Sequence, residues 1–209
     1  PEADLYYIAE IHGIIGEDGN FKWDLTWLAK SIDRVVEVNR MLPKDRKIRV
    51  ISISLGIGSS LNGYEKALTA IEKAKKEGIY TVYVDSNPYM GLGRDPLKSA
   101  DDINSYTAGL FWKKYPYNNT ELLIPMDSRC TASPTGQKDY VFYREGGMSW
   151  SVPYVAGLYA LACQVNPKIT PELFWKEAMN TGDYNTEKLG KIVNPAKLID
   201  NIKKLKNSK

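Results

Sequence analysis

The sequence predicts an α/β fold in which a mostly parallel sheet is flanked by helices on both faces, a doubly wound arrangement. Two observations carry this. Apolar runs about six residues long alternate with segments of helical period, and the runs end in loops carrying Gly, Ser or Asn, the strand ends where such sheets bind ligands. LYYIAEI at 5 to 11 reads as the first strand, and DLTWLAKSIDRVVEVNRM at 24 to 41 as an amphipathic helix capped by Asp24. IRVISIS at 48 to 54 has no polar residues in its second half except serines, so it reads as a strand buried on both sides, and it runs into the Gly/Ser loop SLGIGSS. GYEKALTAIEKAKKEG from 63 to 78 is the next helix, closed by Gly78. IYTVYVD at 79 to 85 is the third strand. Residues 88 to 120 read as a long irregular excursion, the kind of loop that often carries function. ELLIPM resumes the sheet, YVFYRE at 140 to 145 is a short strand, and helices follow near 149 to 164, 171 to 180 and 195 to 206.

Length and composition bound the rest. A chain of 209 residues predicts a single domain spanning 1–209 with one well-buried core. With 28 Lys+Arg against 25 Asp+Glu the net charge is +3, which leaves no electrostatic footprint for nucleic acid. No stretch approaches the roughly 18 apolar residues that cross a bilayer, so neither a nucleic-acid nor a membrane partner is expected. Cys130 and Cys163 have no metal-ligand spacing and are expected to be free.

Three loops qualify as ligand sites: those after Ser54 and Asp85, and the turn GGMSWSVPYVAG at 146 to 157. Gly146 and Gly147 permit a tight entry into a helix. Pro153 is tolerated in a first helical turn, where its missing N–H has no partner, so the helix is expected to start close to Ser149. A serine there has its hydroxyl beside free N–H groups and the positive end of the helix dipole, which suit an oxyanion. Serine is also a common helix cap, and the residues alone leave both readings open. Asn87 likewise reads as a turn residue and Ser54–Gly56 as a strand terminus.

GMSWSVPYVAG resembles GTSMASPHVAG, the segment around the catalytic serine of the subtilisin-like serine proteases, or subtilases, with glycine, serine, proline and the terminal VAG in register. Pro1, Ala3, Leu5 and Tyr6 resemble that family's PxAxLYxVKV strand, ISISLG at 51 to 56 its VINMSLG strand, and VYVDSN at 82 to 87 its VVAAAGN strand. NPKITPELFWKEAMNTG and GKIVNPAKLID resemble its closing helices. The resemblance implies a subtilisin-like fold and peptide-bond hydrolysis. Ser149 would be the acylating nucleophile, Asn87 the oxyanion donor, and Ser54, Leu55 and Gly56 the edge that pairs with an extended peptide or protein substrate. It also implies calcium, for which no ligand set can be matched, and favours a secreted or cell-surface location. No cofactor is identified from the residues themselves.

The departures bear on mechanism. Ser86 stands before Asn87 where the family has glycine, Pro88 follows it, and Tyr154, Trp150 and Met148 replace the family's histidine, methionine and threonine. The family's order is Asp, His, Ser, with the Asp and His motifs upstream of the PxAxLY strand at which this sequence starts. The resemblance therefore places both residues on an upstream segment and makes that segment a partner of the chain; the fold is expected to be incomplete at its N-terminus. His12 is the sole histidine; it aligns with the end of the first strand and reads as a loop or strand-end residue. Asp85, Asp101 and Asp102 read as turn or capping residues. Three functions stay open: a subtilisin-type serine endopeptidase completed by an upstream segment, a pseudoprotease that binds peptide or protein without cutting it, and an unrelated doubly wound binding protein in which Ser149 is only a cap.

Overall fold

The computed structural model describes residues 3–9, 13–84, 86, 89–111, 117 and 120–207. They divide into two compact units, residues 1–51 with 56–81, and 52–55 with 82–209.

In the first unit, β1 (Gly13–Ile15) and β2 (Phe21–Trp23) form a short antiparallel hairpin. Helices α1 (Thr26–Met41) and α2 (Tyr64–Lys76) pack against each other. The Asp24 carboxylate accepts the Thr26 N–H at 2.8 Å, which occupies an unpaired donor at the start of α1. That bond holds the Asp24 carboxyl below the usual carboxylate range. Leu28, Ala29, Ile32 and Val36 form the buried stripe of α1, and α2 presents only Ala67, Ala70 and Ala74. Small residues on one side let the larger ones on the other fill the interface. At the end of α2, Gly78 takes φ +75°. Its N–H donates to the Lys75 carbonyl and the Ile79 N–H to that of Ala74, a Schellman ending that only a residue tolerant of positive φ closes without strain.

Strands β3 (Val50–Gly56) and β4 (Tyr80–Val84) form a two-stranded sheet, and each has residues in both units.

The second unit holds a four-stranded sheet in the order β10 (Lys191–Ile192), β7 (Leu122–Pro125), β5 (Tyr89–Arg94), β6 (Tyr106–Ala108). β10 and β7 are parallel, as are β7 and β5, with Tyr89 opposite Leu122 and Gly91 opposite Ile124; β6 runs antiparallel. β8 (Arg129–Ala132) and β9 (Tyr140–Tyr143) form a separate antiparallel hairpin. Helix α3 (Met148–Val165) packs on β7 and β5 and against α4 (Pro171–Thr181) and α5 (Pro195–Asn207). Leu92, Leu123, Val152, Ala162, Leu198 and Ile202 have no solvent exposure at all. Each of the larger ones contributes about 1.5–3 kcal/mol by leaving water. The architecture is the α/β one expected from the sequence, and the five helices fall where its periodicity puts them. No helix of the described residues is long and apolar enough to cross a membrane.

Three expectations are corrected. Residues 3–9 have no regular structure, and Leu5 and Tyr7 are 91% and 86% exposed; the remainder of the expected strand, 10–11, lies outside the described residues. A strand needs a neighbour for its N–H and C=O groups, and the described residues supply none here. β3 is not buried on both sides, because Ser52 and Ser54 share an exposed face while the residues between and around them are half-buried. The expected irregular excursion contains β5, an interior strand of the four-stranded sheet, and β6. The glycines that made it look loop-like give packing room instead. A Cβ on Gly91 would crowd the Met126 and Met148 side chains, and one on Gly93 would lie 2.9 Å from the Asp127 carboxylate.

Candidate active site

Ser149 is the second residue of α3 and is exposed. Its placement starts at the turn before the helix. Neither Gly146 nor Gly147 uses positive φ, contrary to the conformational role expected for the pair. Gly147 is extended (φ −156°, ψ −178°), and a Cβ there would meet nothing within 4 Å. Gly146 is different, because a Cβ there would overlap the Met126 carbonyl oxygen and lie 2.9 Å from the Met126 carbonyl carbon. The requirement at Gly146 is steric room against the end of β7.

Helix α3 begins before Ser149, so Pro153 is its sixth residue and lies inside the helix, past the first turn where it was expected. A proline there deprives the carbonyl four residues back of its N–H partner, and that carbonyl belongs to Ser149. Ser54 fills the gap, its Oγ donating to the Ser149 carbonyl at 2.9 Å. In return, Ser149 Oγ lies 3.4 Å from the Ser54 carbonyl, to which it donates. The proline thus frees one acceptor for a strand–helix link that seats Ser149 against the end of β3. Leu55 follows in half-buried position, and Gly56, the last residue of β3, faces open space where a side chain would stand.

The rest of the α3 entry is packed. The Gly91 N–H donates to Met148 Sδ at 3.1 Å, and Trp150 lies against Tyr143 of the hairpin with ring centroids 4.8 Å apart. One turn on, Tyr154 lies beneath the Arg129 guanidinium, 4.9 Å from the ring centroid. Burial pushes the Tyr154 phenol up to about 12, with the neighbouring Tyr106 adding to the rise and Arg129 opposing it. Among the apolar α3 residues, Val152, Val155, Ala156, Leu158, Tyr159 and Ala162 are buried, whereas Leu161 is exposed. Cys130 is exposed and Cys163 buried, and neither is in a disulfide.

Asp127, which the sequence does not single out, lies beside the entry of α3. It is 1% exposed, and its two carboxylate oxygens accept the Gly146 and Leu110 N–H groups, each at 2.7 Å. Both partners are distant in sequence, so no local pattern marks them. Of the expected site residues, the structure brings Ser54 and Ser149 together. Asn87, His12, Asp85 and Pro88 lie outside the described residues. No group of three or more His, Cys, Asp and Glu side chains among the described residues forms a metal site.

No protein-family model matches the sequence, and no curated protein does. Solved structures do match. A chain from the subtilase cytotoxin SubAB assembly aligns with a TM-score of 0.59 at 10% identity, covering 92% of this chain and 68% of that one. The self-cleaved protease domain of PatA aligns at 0.52 with 17% identity, covering 87% and 69%. The patellamide maturation protease PatA aligns at 0.51 with 17% identity, covering 91% and 73%. The chain shares their fold. At such identities the likeness is one of fold, and one fold hosts many chemistries, so function rests on the site.

Proposed function

We propose that the chain carries the nucleophile of a subtilisin-type serine endopeptidase. The observation that carries this is the Ser54–Ser149 link: an exposed serine near a helix N-terminus is held by its own carbonyl against the end of β3, the strand end to which this reading gives an extended peptide. The likeness to protease domains supports the same reading. Ser149 Oγ attacks the substrate carbonyl carbon as a histidine takes its proton. The tetrahedral oxyanion is held by the Ser149 N–H and the Asn87 side chain, and removing such a donor costs about 3 kcal/mol in subtilisin, the worked case from which that magnitude comes. The C–N bond then breaks, the histidine protonates the departing amine, and water releases the acyl group by the reverse path.

The histidine and its orienting aspartate are assigned to an upstream segment, which would also supply the strand partner that residues 3–9 do not find among the described residues. Consistent with this, Leu5–Ile8 are exposed and, with Arg34, Val35, Val38 and Ile48, line a cleft of about 350 Å³ in the first unit. A catalytically inactive peptide binder is the second reading, and it draws on the Ser86–Asn87–Pro88 sequence, which departs from the family at the oxyanion donor.

A fluorophosphonate probe tests the proposal. The expected result is no labelling of the 209-residue chain alone, labelling at Ser149 once the upstream segment is joined to it, and none in S149A. Absence of labelling in the joined protein overturns the protease reading and favours the inactive binder.

A further inference from the structure

We propose that Asp127 is a positioning residue for Ser149, fixing the turn that delivers the serine; the catalytic part of this rests on the protease reading above.

Asp127 follows the end of β7, and its backbone is tied to the sheet, with the Met126 N–H donating to the Leu92 carbonyl of β5 at 2.9 Å. Its side chain points away from the sheet ladder to two peptides outside any strand or helix: Gly146, between β9 and α3, and Leu110, just beyond β6. A buried polar group is costly unless its hydrogen bonds are made. Both partners here are N–H donors, and a carboxylate presents two acceptor oxygens. Asparagine of nearly the same shape presents one acceptor and one donor, so it cannot serve both. The residue type therefore matches the pair of donors.

The geometry gives the turn two restraints from consecutive residues. The Met126 carbonyl occupies the room a Cβ on Gly146 would need, so only glycine fits there, and the next side chain accepts the Gly146 N–H. The site thus selects the residue at 146 and ties down its peptide. Between it and Ser149 lie only Gly147 and Met148, and Met148 is itself anchored to β5 through its sulfur. Asp127 and the Met148 anchor together hold the short turn that ends at the Ser149 backbone N–H, the group assigned to the oxyanion. On the other side, the same carboxylate fixes Leu110 beside Gly109, whose N–H donates to the Tyr117 hydroxyl at 2.9 Å. One carboxylate thereby joins the chain beyond β6 to the entry of α3.

The test uses D127N and D127A in the protein joined to its upstream segment, with two independent readouts. Hydrogen exchange at Gly146–Ser149 and at Leu110 reports the turn whether or not the protein is an enzyme. D127A is expected to speed exchange at both places by at least tenfold, and D127N at one or both, with the α4–α5 region unchanged. Fluorophosphonate kinetics report the serine: the maximal labelling rate is expected to fall at least tenfold with the probe's binding constant unchanged. A residue that merely stabilises the fold would lower the melting temperature and leave the labelling rate of the folded protein intact. D127N, the closer isostere, keeps the test valid if D127A does not fold. Wild-type exchange at Gly146–Ser149 in both variants overturns the proposal, as does wild-type labelling in a variant whose exchange at Gly146–Ser149 is accelerated. Failure of the wild-type protein to label overturns the protease reading alone, and the exchange data then decide whether Asp127 fixes the turn.

Discussion

Gly146 and Gly147 look equivalent in the sequence, yet the structure predicts opposite tolerance to alanine. At Gly146 the added Cβ would lie 2.9 Å from the Met126 carbonyl carbon and overlap the oxygen attached to it. An ordinary carbon–carbon contact is about 3.5–4.0 Å, so the turn must retreat by at least ~0.6 Å. The neighbour is strand-end backbone bonded to β5 and cannot swing aside as a side chain would. Overpacking of this kind costs about 1–3 kcal/mol, and the retreat also stretches the 2.7 Å bond to Asp127. For a chain of this size that is a drop of roughly 2–4 °C per kcal/mol in melting temperature. A shift approaching 1 Å at a nucleophile can lower reaction about 100-fold. Gly147 is extended and open, so alanine there should cost under about 1 kcal/mol, the weaker capping ability of alanine being the main loss. The assay is a thermal melt together with fluorophosphonate labelling of G146A and G147A in the protein joined to its upstream segment. Equal behaviour of the two variants would refute the steric account of the turn.

Other outcomes follow from the same structure. P153A restores an N–H that can bond the Ser149 carbonyl, so it should raise stability by about 1 kcal/mol while releasing the Ser54 hydroxyl; chemical denaturation and labelling check this, with slower labelling expected in both P153A and S54A. G91A should destabilise by about 1–3 kcal/mol, because its Cβ would crowd two methionine side chains; an unchanged melting temperature would contradict the packing role given to that glycine. Folding raises the Tyr154 phenol from 10 to about 12, so the folded state prefers the neutral form. The stabilisation is complete below pH 10, is lost as pH rises through 12, and amounts to roughly 2–3 kcal/mol over that window. Y154F should flatten the fall in stability between pH 10 and 12, and a denaturation series across that range measures it. The 209-residue chain alone, with Leu5 and Tyr7 bare, should aggregate or melt without cooperativity; a cooperative melt of a monomer would count against the upstream partner.

What could be read from the sequence was whatever is encoded locally. The buried stripe of α1 recurs at helical spacing, and Gly78 announces the end of α2, so both helices are legible to within two residues. β5 was not, because Gly91 and Gly93 carry the same letters as turn glycines while their purpose is to admit Met126, Met148 and Asp127 from elsewhere in the chain. Segment 3–9 shows the converse, a strand-like composition without the neighbour that composition cannot supply. The site divides along the same line. Ser149 and Ser54 were marked by motif resemblance, whereas Asp127 acts only through peptides seventeen and nineteen residues away.

Pro153 joins the two kinds of information. As a local signal it marks the helix start, and a helix that began at the proline's own first turn would leave no vacancy for a strand to fill. Placed inside α3, it leaves the Ser149 carbonyl without a helical donor, and the Ser54 hydroxyl takes that position from 95 residues away. If Pro153 served only the helix, replacing it with alanine would strengthen α3 and leave Ser149 as reactive as before. If it serves the site, the same change strengthens the helix and weakens the seat of the serine. Stability and reactivity moving in opposite directions in one variant separates these two roles, and the function proposed for Ser149 predicts the second.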